Sequence, residues 1–333
     1  MSVPLRVVAL KPFYPADLAL LREGLGATAE LVVPAAFDPA TLSAAVRGAD
    51  VLLGGAVTEE ILDAAKGFRL FQVPWTGVDG LDRALLSRRG AVVCNSHSSA
   101  PVVAEFAVAL LLAALKTIPL HDRRLREGDW MRPQPGGGDF RPPRTLAGCV
   151  VAFLGAGAIA RATASLLAGF GVRQVAVASR RRAEPAPWSA VSGPEGLDAA
   201  LAGCDALVVA APLTAVTAGM IDARRLALMK PTAVLVNVAR AEIVEEGALF
   251  EALKSGRLGA AALDPWREQP KAGAKAFPSP RFPFHELPNV VLSPHRAGFD
   301  AGRLPHLVDA VANIRALAEG RALANRVDLE AGY

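Results

Sequence analysis

The chain has 333 residues, of which 52% are apolar, 20% charged and 6% aromatic, and 36 basic against 32 acidic residues give a net charge of +4. This composition excludes a disordered chain and a collagen-like repeat, and it supplies enough apolar residues for one large or two ordinary domains. The charges are scattered, so a pI near 9.2 does not indicate a basic face, and we expect no nucleic-acid partner.

Short apolar runs alternate with Ala- and Leu-rich segments of helical period over the first hundred residues. The runs that predict strands are LRVVAL (5–10), AELVV (29–33), DVLLGG (50–55), RLFQVP (69–74) and AVVCN (91–95). Strands that alternate with helices favour a parallel sheet. A long apolar helix is predicted next, from Ala100 to Lys116.

A second series of strands begins at Cys149. Its predicted strands are CVVAFLG (149–155), VRQVAVAS (172–179), ALVVAA (206–211), AVLVNV (233–238), GAAAL (259–263) and NVVLS (289–293). Such continuous apolar runs are typical of strands buried on both faces. A last helical pattern, 306–320, has no strand of its own and is expected to return to the first domain. The sequence thus predicts an α/β fold of two Rossmann- or flavodoxin-like, doubly wound parallel-sheet domains with a cleft between them.

The cysteines and the apolar stretches bear on the compartment. Cys94, Cys149 and Cys204 form no C-x-x-C pair and have no histidine at ligand spacing, so we expect neither disulfides nor a metal site. The longest apolar stretch, 106–115, is about half a membrane span, and the Pro-rich start does not resemble a signal peptide. We expect a soluble, cytoplasmic protein without a membrane partner.

A glycine-rich turn follows the first strand of the second series. It comprises Gly155, Ala156, Gly157, Ala158 and Ile159 and precedes a predicted helix, which is the context of a dinucleotide-binding fingerprint. The first glycine would form the tight turn and the second would admit the pyrophosphate, whose charge the helix N-terminus stabilises. The motif predicts a dinucleotide cofactor.

The next strand ends in Ser179, Arg180 and Arg181, where a site specific for NAD would carry Asp or Glu. A hydroxyl and a guanidinium both donate to a 2′-phosphate and do not repel it. In an arginine-rich chain such residues also occur in loops without a role. We favour NADPH over NADH as the cofactor.

Six strings resemble the D-isomer-specific 2-hydroxyacid dehydrogenases, which include phosphoglycerate, hydroxypyruvate/glyoxylate, D-lactate, phosphite and formate dehydrogenases. In the family's order and spacing they are VAEFAVALLLAAL (103–115), FLGAGAIARATASLLAGFG (153–171), CDALVVAAPLTAVTAGMI (204–221), LMKPTAVLVNVARAEIVEEGAL (228–249), AALDPWREQP (261–270) and LPNVVLSPHRAG (287–298). The resemblance implies an NAD(P)-dependent oxidoreductase that acts on CH–OH groups. It also implies a substrate-binding domain of residues 1–99 plus 300–333 and a dinucleotide-binding domain of residues 100–299.

The resemblance assigns the catalytic residues. Arg240 is implied to bind the substrate carboxylate and carbonyl oxygen, for which its planar fork is suited. His295 is implied to donate the proton in reduction or accept it in oxidation, because imidazole titrates near neutrality. Where most of the family carries a glutamate that pairs with this histidine, the chain has Gln269. A neutral amide orients an imidazole but does not stabilise its protonated form as a carboxylate does, so we expect keto-acid reduction to fall off at lower pH than usual.

Further contacts follow from the same resemblance. Asp264 would contact the nicotinamide side of the cofactor site, or would only cap the turn before Pro265. The remaining residues implied to contact the cofactor are Pro212, Leu213, Thr217, Val238 and Ala239.

In the first domain, the resemblance points to a loop whose backbone N–H groups would hold the substrate carboxylate, namely Thr76 and Gly77. Trp75 would stand at the wall of the substrate pocket. Trp130 falls in the segment where relatives exchange helices across a dimer interface, so a homodimer is expected.

These inferences favour a D-2-hydroxyacid dehydrogenase that reduces a small 2-keto acid, and two alternatives stay open. Formate dehydrogenases share Gln-Pro at 269–270, which favours formate or phosphite oxidation, although Ser99 stands where they carry an asparagine. The family also contains corepressors, so a non-catalytic nucleotide-sensing protein is the second alternative.

Overall fold

Two parallel sheets organise the chain. The structure, a computed structural model, describes residues 3–131, 142–179, 187–271, 273–300 and 305–333. The chain divides into two units, one made of Met1–Ser99 and Phe299–Tyr333 and the other of Ala100–Gly298.

The first unit contains a five-stranded parallel sheet in the order β2-β1-β3-β4-β5. The strands are β1 (Leu5–Ala9), β2 (Ala29–Val32), β3 (Val51–Leu53), β4 (Leu70–Gln72) and β5 (Val93–Cys94). The helices are α1 (Pro15–Leu25), α2 (Pro39–Ala45), α3 (Glu59–Ala64), α4 (Arg83–Arg88) and the C-terminal helix Val308–Ala318. Side-chain caps fix where α2, α3 and α4 begin. The Asp38, Thr58 and Asp82 side chains each accept a hydrogen bond from a backbone N–H of the first turn.

Alternate residues of these strands face different helices. Val8, Leu52 and Phe71 pack in one buried cluster that includes residues of α2, α3 and α4. Val7, Val51 and Leu70 pack in another that includes residues of α1 and the C-terminal helix. Both faces of the sheet are therefore covered, as a doubly wound sheet requires.

The second unit contains a seven-stranded parallel sheet in the order β12-β11-β10-β9-β6-β7-β8. Its strands are β6 (Val150–Leu154), β7 (Arg173–Val177), β8 (Ala190–Ser192), β9 (Ala206–Val209), β10 (Val234–Asn237), β11 (Ala260–Leu263) and β12 (Val290–Leu292). Its helices are α5 (Ala100–Leu115), α6 (Ile118–Arg126), α7 (Ala158–Leu167), α8 (Leu197–Gly203), α9 (Ala223–Leu228) and α10 (Glu246–Lys254). The strand order reverses between β6 and β9, and ligands of such sheets bind at the carboxyl ends of the strands beside that reversal.

The α/β fold with two parallel sheets that the sequence predicted is confirmed. Each predicted strand is present, shortened by one to three residues, and β8 was missed. That strand has only three residues and pairs on one side with β7, so no long apolar run marks it.

Within the described ranges no single helix is long and apolar enough to cross a membrane. The consecutive helices α5 and α6 are long and apolar enough only when taken together, and their axes are bent by 62° relative to each other.

Candidate active site

The turn from β6 into α7 depends on two glycines for different reasons. Gly155 has φ +104°, and a Cβ there would lie 2.8 Å from the carbonyl oxygen of Ala210, so the fold itself requires glycine. Gly157 has an ordinary φ of −79°, and a Cβ there would meet nothing within 4 Å. The packing of the chain therefore does not explain the second glycine.

The pyrophosphate of a dinucleotide does account for Gly157. This residue is the N-cap of α7, a ten-residue helix, and as a glycine it has no side chain to accept from the N–H groups of the first turn, which are left for another acceptor. A side chain at this position would occupy the space through which a phosphate approaches those N–H groups. The residues present thus fit a nicotinamide dinucleotide.

We expect the Gly157→Ala variant to separate cofactor binding from folding. The KM for the nicotinamide cofactor should rise by about tenfold or more, because the added methyl group crowds the bound phosphate. The free energy of unfolding should change by less than about 1 kcal/mol, since the backbone conformation suits alanine. Steady-state kinetics and urea denaturation measure the two quantities. The matched Gly155→Ala variant should instead lose more than about 2 kcal/mol. An unchanged cofactor KM in Gly157→Ala would contradict this assignment.

The residues predicted to select the cofactor are only partly placed. Ser179 is exposed and lies just after β7. The preceding residue, Ala178, donates from its backbone N–H to the Ser192 carbonyl at 3.0 Å and so ties the end of β7 to β8. Arg180 and Arg181 lie outside the described residues. The preference for NADPH therefore stays a prediction.

The loop after β9 has a defined conformation. Thr217 Oγ1 donates to the Pro212 carbonyl at 2.7 Å and accepts from the Thr214 backbone N–H at 2.8 Å. Pro212 is exposed and Leu213 half-buried at the carboxyl edge of the sheet. This loop lies on the same edge of the sheet as the Gly155–Gly157 turn, and its contact with a cofactor stays a prediction.

Arg240 is positioned by a residue that the sequence analysis missed. Asn237 ends β10, is 2% exposed, accepts from the Ala239 N–H at 3.0 Å and donates to the Arg240 carbonyl at 2.9 Å. Arg240 is half-buried, and its Nη1 donates to the Ala239 carbonyl at 2.9 Å. Val238 in the same turn is 8% exposed. A polar residue at the end of a wholly apolar strand was the available signal for Asn237.

Asp264 anchors the loop that carries His295. It directly follows β11, is 1% exposed, and its carboxylate accepts from Ser293 Oγ at 2.5 Å, the Arg296 N–H at 2.7 Å and the Ala297 N–H at 3.1 Å. The His295 backbone N–H donates to the Asp264 carbonyl at 2.9 Å. This set of contacts, rather than a turn cap, is what the structure shows for the carboxylate, and a cofactor contact stays a prediction.

The backbone at His295 explains why the loop needs an anchor. His295 has φ +56°, a left-handed conformation that is unfavourable for a residue with a side chain. A second brace comes from Trp266, whose Nε1 donates to the Ser293 carbonyl at 2.8 Å. Two adjacent strand ends thus hold an exposed histidine in a fixed place.

The Asp264→Asn variant should therefore loosen this loop. An amide replaces one acceptor by a donor that faces a buried N–H or hydroxyl group, so we expect a loss of about 1–3 kcal/mol in unfolding free energy. The kcat should fall by about tenfold or more, because His295 is displaced. Asp198→Asn, which removes an exposed ion pair with Arg224 and Arg225, is the matched control and should change neither quantity appreciably. A wild-type kcat in Asp264→Asn would contradict the anchoring role.

His295 and Gln269 are hydrogen-bonded. Gln269 Nε2 lies 2.9 Å from His295 Nδ1, and both side chains are exposed. In this arrangement the amide nitrogen donates, so Nδ1 accepts and the neutral imidazole carries its hydrogen on Nε2. When the ring is protonated, the amide turned over presents Oε1 to Nδ1 instead. Gln269 thus orients the ring in both protonation states but lacks the charge that stabilises the imidazolium.

In the first unit, the loop after β4 is tied to the loop after β5. Thr76 Oγ1 donates to the Ser96 carbonyl at 2.8 Å, Asn95 Nδ2 donates to the Thr76 carbonyl at 2.7 Å, and the Ser96 N–H donates to the Trp75 carbonyl at 3.1 Å. Among the described residues, none accepts from the half-buried N–H groups of Thr76 and Gly77. These two N–H groups are therefore available as donors, and their binding of the substrate carboxylate stays a prediction.

Two other predictions concern groups away from these loops. Trp130, predicted for a dimer interface, is 71% exposed, and the homodimer stays a prediction. In the part of the chain that the structure describes, no group of three or more His, Cys, Asp or Glu side chains is placed to hold a metal ion.

The chain is similar in sequence to known dehydrogenases. Residues 108–297 match the family model described as D-isomer specific 2-hydroxyacid dehydrogenase, NAD binding domain. The chain is 33% identical over 294 residues to a glyoxylate reductase of Thermococcus kodakarensis, covering 86% of this chain and 85% of the relative. It is 34% identical over 245 residues to a D-3-phosphoglycerate dehydrogenase of Archaeoglobus fulgidus, covering 72% of this chain but only 43% of that longer relative.

Solved structures of dehydrogenases also resemble this chain in fold. An NADPH-dependent glyoxylate/hydroxypyruvate reductase of Sinorhizobium meliloti, in complex with NADP and malonate, is 28% identical with a TM-score of 0.78, covering 99% of this chain and 98% of that one. A D-isomer specific 2-hydroxyacid dehydrogenase of Xanthobacter autotrophicus, in complex with NADPH and MES, is 26% identical with a TM-score of 0.79 and covers both chains fully, 100% each.

Proposed function

The chain belongs to the family of D-isomer specific 2-hydroxyacid dehydrogenases, oxidoreductases that act on the CH–OH group of 2-hydroxyacids, and we propose that it reduces a small 2-keto acid to the D-2-hydroxy acid. The observation that carries this proposal is the pair of His295 and Gln269, 2.9 Å apart, on a loop anchored by Asp264. Arg240 follows the strand next to that of Asp264, so the proton donor and the guanidinium lie at one edge of one sheet.

Reduction of the carbonyl group needs a hydride at carbon and a proton at oxygen. When bound, the reduced nicotinamide supplies the hydride. Protonated His295 donates its Nε2 hydrogen to the carbonyl oxygen, and the neutral ring keeps its Nδ1 hydrogen on Gln269 Oε1. The product is then a neutral hydroxyl group, and no charged oxygen is left behind.

Binding of the substrate carboxylate is assigned to two groups of donors. The Arg240 guanidinium donates in a planar fork that matches a carboxylate, and its charge polarises the adjacent carbonyl group. In the first unit, the N–H groups of Thr76 and Gly77 donate to the carboxylate. The Arg240 fork orients the keto acid at the sheet edge that also carries His295.

NADPH is the proposed cofactor. Its support is the exposed Ser179 at the end of β7, with arginines rather than an acid after it. Similar solved structures are complexes with NADP or NADPH. A higher kcat/KM with NADPH than with NADH is the expected result.

Steady-state oxidation of NADPH, and separately of NADH, with glyoxylate, hydroxypyruvate, pyruvate and phenylpyruvate from pH 5 to 8 tests the proposal. We expect turnover with at least one of these keto acids, because His295 supplies the proton and the reduced cofactor the hydride. An absence of turnover with every keto acid, despite measurable cofactor binding, would contradict the reductase function.

Formate or phosphite oxidation is the second candidate. The neutral Gln269 on His295 favours it, because hydride abstraction from formate needs no general acid or base. Turnover of either anion with NAD or NADP, without turnover of keto acids, would select this function. Binding of the cofactor without any turnover would instead select a nucleotide-sensing role.

A further inference from the structure

Lys11 lies at the carboxyl edge of the first sheet, directly over an aromatic side chain. It follows β1, and its Nζ is 4.8 Å from the ring centroid of Trp75 and 5.7 Å from that of Phe13. The side chain is half-buried. An ammonium group over an indole face is attracted to the ring, and the contact holds it in place.

The end of β3 makes room for this lysine. Gly54 has φ +65°, and a Cβ there would lie 3.4 Å from Lys11 Cγ, so the stem of Lys11 passes over the glycine. The strands β1, β3 and β4 are neighbours in the sheet, and Lys11, Gly54 and Trp75 follow them in turn. The ammonium group is therefore placed by three adjacent strand ends.

Among the residues that the structure describes, Lys11 makes neither a hydrogen bond nor an ion pair. Lys230, by contrast, donates to Asp205 at 2.9 Å. The buried acid of the first unit, Asp17, accepts from the Tyr14 N–H at 3.1 Å and lies 3.9 Å from His306 Nε2. The Lys11 ammonium group, whose stem and head lie on apolar surface, is therefore available to bind an anion.

The indole under Lys11 also connects it to the proposed carboxylate donors. Trp75 directly precedes Thr76 and Gly77, and its carbonyl accepts from the Ser96 N–H, which fixes the loop from the other side. The same stretch of chain thus carries two backbone donors and positions a cation. Two anion-binding elements beside each other suit one ligand with two anionic groups.

We propose that Lys11 binds a second, distal anionic group of the substrate, so that the preferred substrates are 2-keto acids that carry a distal carboxylate or phosphate. This inference rests on the proposed function, in which the Thr76 and Gly77 N–H groups hold the first carboxylate. Lys11 is then a residue that determines specificity and takes no part in proton transfer.

The test compares matched substrates in Lys11→Met, Lys11→Arg and a control. The substrate pairs are 2-oxoglutarate with 2-oxohexanoate, for a distal carboxylate, and phosphohydroxypyruvate with hydroxypyruvate, for a distal phosphate. Lys66→Met removes an exposed lysine of the same unit and is the matched control. The readouts are kcat and KM for each substrate.

We expect the wild-type enzyme to have the higher kcat/KM for the anionic member of at least one pair. Lys11→Met should lose about ten- to a hundredfold of that kcat/KM, chiefly through KM, and less than about twofold for the uncharged member. Lys11→Arg should retain most of the preference, and Lys66→Met all of it. The pair that responds identifies carboxylate or phosphate as the distal group.

The outcomes separate this inference from the proposed function. Turnover of both members of each pair without regard to distal charge, or an equal loss for both in Lys11→Met, would overturn the role of Lys11 and leave the reductase function standing. An absence of turnover for these four keto acids, with turnover of glyoxylate, pyruvate or phenylpyruvate, would overturn only the role of Lys11. An absence of turnover for all of these keto acids would overturn the proposed function, and the role of Lys11 would fall with it.

Discussion

Replacing His295 by Asn should lower kcat for keto-acid reduction by about 10²- to 10⁴-fold, the range that a lost general acid produces. Asparagine is the appropriate substitution because His295 has φ +56° and asparagine adopts this conformation more readily than most residues. The hydrogen bond from the backbone N–H of residue 295 to the Asp264 carbonyl should therefore persist, and the loop should keep its conformation. The KM for the cofactor and the unfolding free energy should stay close to the wild-type values.

Stopped-flow or steady-state kinetics at pH 6, where the wild-type enzyme is expected to be active, measure this effect. His285→Asn is the matched control, because His285 belongs to the same unit and stacks on the exposed Phe277 with ring centroids 3.6 Å apart. It should keep the wild-type kcat. A His295→Asn variant that retains more than about a tenth of the wild-type kcat would show that another group supplies the proton.

The second large effect is expected at Arg240. Arg240→Met should lower kcat/KM for the keto acid by about a hundredfold or more, because both the charge and the fork that orient the carboxylate are lost. Arg240→Lys should recover only part of this loss, since an ammonium group keeps the charge without the planar pair of donors. The substrate KM and kcat should both change, whereas the cofactor KM should not.

An exposed arginine of the same unit provides the control for that experiment. Arg257→Met, beyond the end of α10, should leave the kinetics unchanged. Full activity in Arg240→Lys would indicate that charge alone matters and would contradict bidentate binding. An unchanged substrate KM and kcat in Arg240→Met would remove Arg240 from the site.

The sequence predicted the sheets well because their strands are buried on both faces and read as unbroken apolar runs. The edge strand β8 lacks that signal, since it has three residues, none of them fully buried. Candidate site residues could be located for a related reason. The resemblance to the family picked out Arg240, Asp264 and His295, and each of them follows a strand of one parallel sheet, whose carboxyl strand ends lie at one edge.

The contacts that position these residues could not be predicted. Asp264 reaches Ser293, Arg296 and Ala297 across 29 to 33 residues of sequence, and only the pairing of β11 with β12 brings them together. Lys11 and Trp75 are likewise neighbours only because β1, β3 and β4 are adjacent. A single sequence shows which segments are strands but not their order in the sheet.

The most direct test of the account is to follow the transferred hydrogen. The wild-type enzyme is incubated with NADPH deuterated at C4 of the nicotinamide and with hydroxypyruvate, pyruvate or phenylpyruvate, whose products have a stereocentre at C2. The product is analysed by chiral chromatography and mass spectrometry. We expect a D-2-hydroxy acid that carries one deuterium at C2 when the transferred hydrogen of C4 is the labelled one. Three results would contradict this expectation: an L-2-hydroxy acid, a product that lacks deuterium whichever face of C4 is labelled, or the absence of any hydroxy acid.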